Sequence, residues 1–347
     1  MKRSQKSLDK TEKLCFNKRK KEKGDAMLFY PFLLSSVLKH PLWSGKRLKK
    51  KWGKKTEKDT IGESWELSVR EVENSVIQNG IFQGRTLGEV ITKHPDEILG
   101  DSLFCENRFP LLVKLIDTDD LLSVQVHPDD EMAKKAEGDS GKTELWYILE
   151  AEEGASILYG FKEKALLSDS KSALENGTFP SLLREIPVKA GEAYFIPAGL
   201  PHAIGKGILL AEVQQNSDLT YRLYDFDRLD KNGKARPLHI EKGLAALRSF
   251  CDEQIDRLRF AKGKEETNGL LSFSSFFRVE KIEVKKEALL PRARYMRHLL
   301  CLSGAFDICL GEERFAVKKG DSYLLPASLP DALLSGEGAF LLSSAPK

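Results

Sequence analysis

The segment Val188–Ile204 reads Val-Lys-Ala-Gly-Glu-Ala-Tyr-Phe-Ile-Pro-Ala-Gly-Leu-Pro-His-Ala-Ile. Gly191 comes just before a short apolar run, and Pro197 ends that run. Glycine allows positive φ and proline removes a ladder donor, so the pattern predicts a turn, a strand and a second turn. His202 follows directly, so rigid backbone would hold its imidazole at a strand end. A fold places metal ligands at such positions.

The same pattern recurs at a constant offset of 129 positions, in Val317–Leu333. This second copy reads Val-Lys-Lys-Gly-Asp-Ser-Tyr-Leu-Leu-Pro-Ala-Ser-Leu-Pro-Asp-Ala-Leu, and Asp331 stands where the first copy has His202. Such dense matches without gaps indicate a duplicated β module. Because only one copy keeps the candidate ligand, we expect one active site. The matched pairs are Gly191 and Gly320, Tyr194 and Tyr323, Pro197 and Pro326, and Pro201 and Pro330.

The composition excludes several classes of protein. The chain has 347 residues, of which 41% are hydrophobic and 31% charged, and its formal net charge is +3. That small charge does not suggest a nucleic-acid-binding protein, and no apolar stretch is long enough to span a bilayer. The five cysteines are scattered without a CxxC pair. We therefore expect neither a disulfide framework nor a thiolate zinc site. The scattered cysteines instead suggest that the protein resides in a reducing compartment.

Residues 1–26 differ in character from the rest of the chain. They contain ten Lys or Arg and four Asp or Glu, and they lack apolar periodicity. We interpret them as a disordered basic extension. The apolar run Met27–Leu38 after them resembles part of a secretory signal, but Pro31 interrupts it and Lys39 follows where small residues should be. We therefore do not expect a secretory signal here.

Side chains that suit a metal occur on two predicted strands. Alternation in Leu122–Asp130 places Gln125 and His127 on one face, and the strand Gly141–Leu149 carries Glu144. With the histidine of the opening segment they supply two imidazoles, a carboxylate and an amide oxygen. This set suits Zn²⁺, Mn²⁺ or Fe²⁺ with a position left open. Each residue alone has a structural explanation, such as a hydrogen-bonded core histidine, but together they predict a metal centre.

Charged residues also interrupt apolar strand patterns elsewhere. Lys114 and Lys142 lie in such strands, and a later strand-like segment carries Glu212, Asp218 and Arg222. A buried charge costs free energy unless it is paired or faces a polar cavity, although a lysine can also extend along a sheet face to solvent. If these residues converge on the metal, the pocket would suit an anionic, oxygen-rich ligand such as a sugar phosphate.

The remaining pattern is mainly β with helical insertions. We predict a catalytic module over 27–235, a helical linker over 236–270 and a second, degenerate module over 271–347. Within them we predict four elements: a helix over Leu87–Leu99, a helical insertion over Phe161–Ile186 with a break at Asn176-Gly177, a strand-like segment over Ile208–Tyr224 and a helix over His239–Phe250. Four histidines are interpreted as surface residues: His40, His94, His239 and His298.

The residues just described resemble a known family. The spacing of Gly191, Pro197, Gly199 and His202 is the second cupin motif. The wider set is similar to the type I mannose-6-phosphate isomerases in their short bacterial form, from Phe32 to the C-terminus. The matching motifs are Leu42–Gly45, Ile61–Trp65, Ser123–Asp130, Gly141–Tyr147 and Pro201–Ala203.

That resemblance implies two cupin jelly-roll β-barrel modules with helical insertions. It also implies a zinc-dependent interconversion of mannose 6-phosphate and fructose 6-phosphate, which would proceed through a cis-enediol, in a cytoplasmic monomer or weak homodimer. One Zn²⁺ per chain would be bound by His127, Glu144 and His202, with Gln125 as a fourth ligand. Arg222 would be the active-site arginine. The substrate pocket would be lined by Lys114, Lys142, Glu212 and Asp218.

Two other functions remain open from the residues alone. Two histidines and one carboxylate also describe the site of non-haem iron oxygenases. A cupin that binds a sugar without catalysis is the third possibility. Conversion of sugar phosphate that is abolished by a chelator and restored by zinc would separate the isomerase from both.

Overall fold

The computed structural model describes residues 29–102, 108–162, 165, 167–230, 232–250, 252–260 and 269–345. The interpretation of residues 1–26 as a basic extension lies outside these residues. The described chain is mainly β, in three antiparallel sheets. The predicted fold class is therefore confirmed.

Two sheets build the first barrel, and both contribute residues to the site described below. The first sheet has the strand order β13-β9-β6-β11-β4-β3-β2, and the second has the order β12-β5-β10-β7-β8. Their bounds are β2 Val37–Lys39, β3 Glu63–Leu67, β4 Leu111–Asp117, β5 Val124–Val126, β6 Glu144–Ala151, β7 Ser156–Phe161, β8 Leu183–Pro187, β9 Ala193–Ile196, β10 His202–Ile204, β11 Ile208–Gln215, β12 Tyr221–Tyr224 and β13 Arg259–Phe260.

The third sheet forms the second barrel. Its order is β1-β18-β16-β19-β15-β14, with β17 paired to β16. The first strand of the chain thus lies beside one of the last. The bounds are β1 Phe32–Leu33, β14 Leu270–Phe273, β15 Arg278–Leu290, β16 Arg297–Leu310, β17 Glu313–Lys318, β18 Ser322–Leu325 and β19 Ala332–Ser344.

The helices are short and lie between strands. None of those in the described ranges is long and apolar enough to cross a membrane. The α-helices are α1 Arg47–Lys51, α2 Leu87–Lys93, α3 Pro95–Leu99, α4 Asp130–Glu137, α5 Ser170–Glu175, α6 Ile240–Ala246 and α7 Asp252–Arg257, and the 3-10 helices are Gly80–Phe82, Leu167–Asp169 and Phe179–Leu182.

The sequence repeat corresponds to a structural repeat. Gly191 has φ +93° and Gly320 has φ +87°, a region that glycine adopts without steric cost. The strands β9 and β18 follow these turns at matching positions. In the second copy Asp331 accepts a 2.7 Å hydrogen bond at Oδ1 from the backbone N–H of Arg292. Asp331, which stands in the second copy where the first has His202, therefore has a structural role.

Several predicted elements differ from the structure. The segment Phe161–Ile186 is not one helical insertion, because it ends in β8, which pairs with β7. The segment Ile208–Tyr224 is two strands in different sheets, β11 and β12. The predicted helix Leu87–Leu99 divides at His94, since the residue before a proline is disfavoured in the α region. His94 has φ −137° and ψ 53°.

The prediction for one histidine, His298, was also wrong. His298 is fully buried and its Nε2 lies 2.7 Å from Oγ of Ser322. That hydroxyl donates its own hydrogen to the carbonyl oxygen of Glu66 at 2.7 Å, so Nε2 of His298 carries the proton that is shared with Ser322. The prediction of a surface residue is wrong because His298 lies in the first part of β16, where six successive residues are buried.

Hydrophobic clusters fill each barrel and the space between them. One cluster contains Trp146 and Tyr194 of the first barrel, and another contains Leu299 and Tyr323 of the second. The largest joins side chains from both halves of the chain. Its members include Phe32, Leu67, Leu87, Leu115, Phe277, Leu300 and Leu341.

Candidate metal centre

Three buried side chains meet inside the first barrel. His127 follows β5, Glu144 begins β6 and His202 begins β10. Their ligating atoms all lie within 4.8 Å of one another, and the three residues are at most 1% exposed. The convergence that the sequence predicted for these distant residues is therefore observed.

Backbone carbonyl groups fix the orientation of both imidazoles. Nδ1 of His127 lies 2.9 Å from the carbonyl oxygen of Leu219, and Nδ1 of His202 lies 2.8 Å from that of Leu200. A carbonyl oxygen only accepts, so each Nδ1 carries the proton. Each Nε2 then presents its lone pair to the cluster, which is the arrangement usual for metal-binding histidines.

The protonation states also suit a cation. Burial lowers the pKa of His127 to about 3, and the Lys142 ammonium adds to this effect. Burial lowers the pKa of His202 in the same way. Burial raises the pKa of Glu144, but Lys142 and the imidazoles outweigh it and hold that pKa well below its ordinary value. At neutral pH the cluster is two neutral imidazoles and one carboxylate.

A cation would satisfy atoms that the described residues leave unsatisfied. Oε2 of Glu144 is buried and has no hydrogen-bond partner among them, although Nε2 of His202 lies 3.8 Å away. Lys142 already places its ammonium against Oε1 of Glu144 and 3.1 Å from Nε2 of His127. The residues therefore fit a metal ion, because the cluster attracts positive charge and has donor atoms to spare.

Gln125 brings an amide group to the same place. Its Cα pairs with that of His202 across β5 and β10, and its Nε2 lies 3.3 Å from Nε2 of His202. Turning the amide by 180° would bring Oε1 to this position, since the amide nitrogen and oxygen are nearly the same size. A ligand role for Gln125 requires that orientation.

A pocket of about 330 Å³ opens beside the cluster. It brings together every remaining residue that the sequence proposed for the site: Lys114, Lys142, Glu212, Asp218 and Arg222. Glu63 and Arg236 line it as well. The segment containing Glu63 was noted as a family motif, whereas nothing in the sequence pattern singled out Arg236.

Lys114 is held among three carboxylates. Its Nζ lies 3.4 Å from Oε1 of Glu212 and 3.9 Å from oxygens of both Glu63 and Asp218. It also lies 4.9 Å from the ring centroid of Trp65, a cation–π distance. Burial lowers the pKa of Lys114, but Glu212 and the other carboxylates raise it more. Lys114 therefore remains a cation despite its burial.

Glu212 is a buried carboxyl group with an unusual titration. Burial, together with the charge of Glu144, raises the pKa of Glu212 to about 7. Its Oε2 accepts a 3.0 Å hydrogen bond from Nε1 of Trp146. Its Oε1 makes the ion pair with Lys114 without hydrogen-bond geometry. A carboxyl group that titrates near neutral pH can both accept and return a proton.

Arg222 approaches from the opposite wall. Its strand β12 pairs with β5, and Arg222 itself pairs with Gln125. One end of the guanidinium donates to the carbonyl oxygen of Pro237 at 2.9 Å, while Nε is buried without a hydrogen-bond partner in the described chain. Burial, with Arg236 nearby, lowers the pKa of Arg222. The guanidinium retains a donor for a ligand.

Comparison with known proteins agrees with this geometry. Residues 32–156 match the family model for the phosphomannose isomerase type I catalytic domain, and residues 267–345 match that for the mannose-6-phosphate isomerase cupin domain. The chain is 38% identical over 307 residues to a mannose-6-phosphate isomerase of Streptococcus mutans, which covers 88% of this chain and 96% of that protein. The chain belongs to the type I mannose-6-phosphate isomerases.

Other members of this family are similar in sequence and structure. The mannose-6-phosphate isomerase ManA of Bacillus subtilis is 35% identical over 317 residues, or 90% of this chain and 98% of that protein. A crystal structure of a mannose 6-phosphate isomerase from Bacillus subtilis superposes with a TM-score of 0.81 at 33% identity, covering 90% of this chain and 99% of that one. The type I mannose-6-phosphate isomerase family and its cupin fold therefore extend over both barrels.

Proposed function

We propose that this chain interconverts mannose 6-phosphate and fructose 6-phosphate at one Zn²⁺ held by His127, Glu144 and His202. The observation that carries the proposal is the buried cluster of these residues at the end of a pocket lined with basic side chains. Relatives that match nearly the whole chain are mannose-6-phosphate isomerases, which supports the same reaction.

The chemistry of the donor set supports zinc. Two imidazoles and a carboxylate leave a coordination position open, as catalytic zinc sites require, and Gln125 is our proposed fourth ligand. Bound there, Zn²⁺ would supply a Lewis acid that polarises an oxygen of the substrate. The hydrogen bonds from each Nδ1 to backbone carbonyls hold the two rings in the required tautomer.

We propose Glu212 as the residue that moves the proton. Aldose–ketose isomerisation transfers a proton between C1 and C2, and such a shuttle works best when its pKa is close to the working pH. Burial brings the pKa of Glu212 to about 7. The ion pair with Lys114 and the hydrogen bond from Trp146 hold its carboxyl group in place. Asp218, which also lines the pocket, is the second carboxylate candidate.

The basic residues would bind the negative oxygens of the substrate. Arg222 is the proposed catalytic clamp, because its planar guanidinium can donate two parallel hydrogen bonds to a phosphate or an enediolate. Lys114 and Lys142 add positive charge on the facing wall. A site with these groups favours an anionic sugar over a neutral one.

The division of the chain into a catalytic module, a linker and a second module is also a proposal. Residues 27–235 would form the catalytic module, 236–270 a linker and 271–347 a degenerate module. The presence of the histidine in only one copy of the repeat supports this division. A cytoplasmic location and a monomeric or weakly dimeric state rest on the family resemblance.

A coupled assay for fructose 6-phosphate tests the proposal. The purified chain should convert mannose 6-phosphate, lose the activity in a chelator and regain it with zinc. Conversion that continues in a metal-free sample would refute the metal's role. Oxygen consumption with a 2-oxoacid, in place of isomerisation, would instead indicate an iron oxygenase.

A further inference from the structure

The two barrels can be compared residue by residue across their paired strands. In the first barrel, one row of neighbours contains a lysine, a glutamate, a tryptophan and a tyrosine: Lys114, Glu212, Trp146 and Tyr194. In the second barrel, the row that ends at the repeat-matched tyrosine contains Glu280, Leu342, Leu299 and Tyr323. Glu280 therefore occupies the position of Lys114.

The adjacent row shows the same reversal at the metal centre. In the first barrel it contains Leu112, Gln214, Glu144 and Ile196. In the second barrel it contains Arg278, Ser344, Arg297 and Leu325. Arg297 therefore occupies the position of Glu144, a metal-binding candidate. The repeat also places Asp331 where His202 stands.

Arg297 is buried without a salt-bridge partner among the described residues, and Glu280 and Asp331 act on it only from a longer distance. It is 6% exposed, and its Nη1 donates a 2.8 Å hydrogen bond to the carbonyl oxygen of Pro291. Its Nε is buried without a hydrogen-bond partner, and no carboxylate of the described residues lies within 4 Å of the guanidinium. A buried charge that is not paired destabilises the fold. An anion bound beside Arg297 would remove that destabilisation.

A pocket of about 590 Å³ gives access to Arg297, a volume typical of small-molecule sites. Its charged lining consists of four arginines and two carboxylates: Arg278, Arg292, Arg294, Arg297, Asp101 and Glu280. These groups leave a formal charge of +2. Glu280 accepts a 2.8 Å hydrogen bond from Arg278, so its negative charge is already engaged. The net formal charge of +2 matches the roughly −2 of a phosphate monoester.

The pocket wall is structurally tied to the first half of the chain. The backbone N–H of Asp101 donates to the carbonyl oxygen of Arg294 at 2.7 Å. The N–H of Met296 donates to Oγ of Ser102 at 3.0 Å. The segment that carries Arg292 and Arg294 is thus fixed at one end by hydrogen bonds rather than free to move.

We propose that the mouth of the second barrel is a binding site for a phosphate group of a small molecule, centred on Arg297. The guanidinium would donate from Nε and its neighbouring nitrogen to two phosphate oxygens, a geometry that suits arginine. Arg292 and Arg294 at the rim would add positive charge that attracts the phosphate. The duplicated barrel has exchanged a cation-binding centre for an anion-binding one.

The test measures inorganic phosphate bound per chain by equilibrium dialysis of the full-length protein. The catalytic pocket accounts for one site, so the wild type should bind at two sites. Arg292→Gln with Arg294→Gln should weaken one of them at least tenfold, and Arg297→Gln should do the same. Both rim residues are exposed, so the double variant should fold even if Arg297→Gln does not.

A matched control removes two positive charges elsewhere in the same barrel. Lys285 and Lys318 are exposed and lie outside the pocket, so Lys285→Gln with Lys318→Gln should retain both phosphate sites. Two intact sites in the rim variant would overturn the proposal. A wild type with a single site that Arg222→Gln removes would overturn it as well. Because the readout is bound phosphate, the result does not depend on isomerase activity.

Discussion

The indole N–H of Trp146 donates a 3.0 Å hydrogen bond to Oε2 of Glu212, whose other oxygen has no hydrogen-bond partner among the described residues. Glu212→Gln keeps the shape and an oxygen that can accept this bond, but removes the titrating group. We expect kcat to fall at least about 100-fold, the size of a general acid–base contribution. Zinc content, measured by atomic absorption, should stay at the wild-type value. Unchanged kcat would exclude Glu212 as the proton carrier.

Trp146→Phe tests the same pair from the other side. Losing a hydrogen bond to the charged form of a carboxyl raises its pKa, so the pKa of Glu212 should increase from about 7. If Glu212 acts as a base, the acidic limb of the kcat profile should then move to higher pH. A profile that stays in place, with only a lower plateau, would contradict this role and indicate a packing effect of the fully buried indole.

His202→Ala should abolish metal retention and turnover together. The change removes one of three ligating groups and leaves Glu144 buried without that partner. We expect zinc per chain to fall close to zero after dialysis, with no measurable conversion. His40→Ala is the control, since Nδ1 of His40 lies 2.6 Å from the carbonyl oxygen of Thr60 and the residue is outside the cluster. A metal-free His202→Ala protein with full activity would refute the proposed metal role.

Arg222→Lys should separate catalysis from metal binding. The substitution keeps the charge but replaces a planar fork with a single ammonium. We expect zinc content to be unchanged and kcat to fall about 100-fold, as for the loss of one donor to a developing oxyanion. Arg257→Lys, at an exposed position, should change neither quantity. Wild-type kcat in Arg222→Lys would show that the fork is not required.

His298 should make the chain less stable in acid. Burial lowers the pKa of His298 to about 3, whereas an unfolded histidine titrates near 6.5. The unfolded state therefore binds a proton that the folded state refuses, so the free energy of unfolding should fall as the pH drops from about 6.5 towards 3. Above 6.5 this residue should cause no pH dependence.

The measurement is the urea midpoint of the zinc-free chain at pH 7.5 and pH 5. His298→Asn should show a smaller difference between the two values than the wild type. His127 and His202 act in the same direction, but both remain in the variant, so the comparison isolates His298. Equal differences in the two proteins would contradict the prediction.

The site was more predictable than some of the structure around it. The prediction that His127, Glu144 and His202 lie at strand ends was correct. The turn at Gly191 and the alternation around Gln125 allowed it, because both follow from local backbone and strand geometry. Lysines inside apolar strands indicated a polar pocket, because such charges need partners. Lys114 has those partners in the structure.

The errors arose where distant pairing decided the outcome. The strand β8 follows a polar, helix-like segment, and only its pairing with β7 makes it a strand. His298 has basic neighbours in sequence, yet it is fully buried and contacts Ser322 of the neighbouring strand β18. The equivalence of Arg297 with Glu144 depends on the register between paired strands. The sequence repeat does not include either residue, so it could not show this equivalence.

The strand Phe32–Leu33 pairs with Leu324 and Tyr323 near the opposite end of the chain. During synthesis this strand leaves the ribosome long before its partner, because most of both barrels lies between them in the sequence. The backbone groups that face β18 therefore stay unpaired until Ser322–Leu325 has been synthesised. Closing so long a loop is slow, and an exposed strand edge can pair with other chains in the meantime. Pairing of Phe32–Leu33 with Ser322–Leu325 is therefore expected to be a late step of folding.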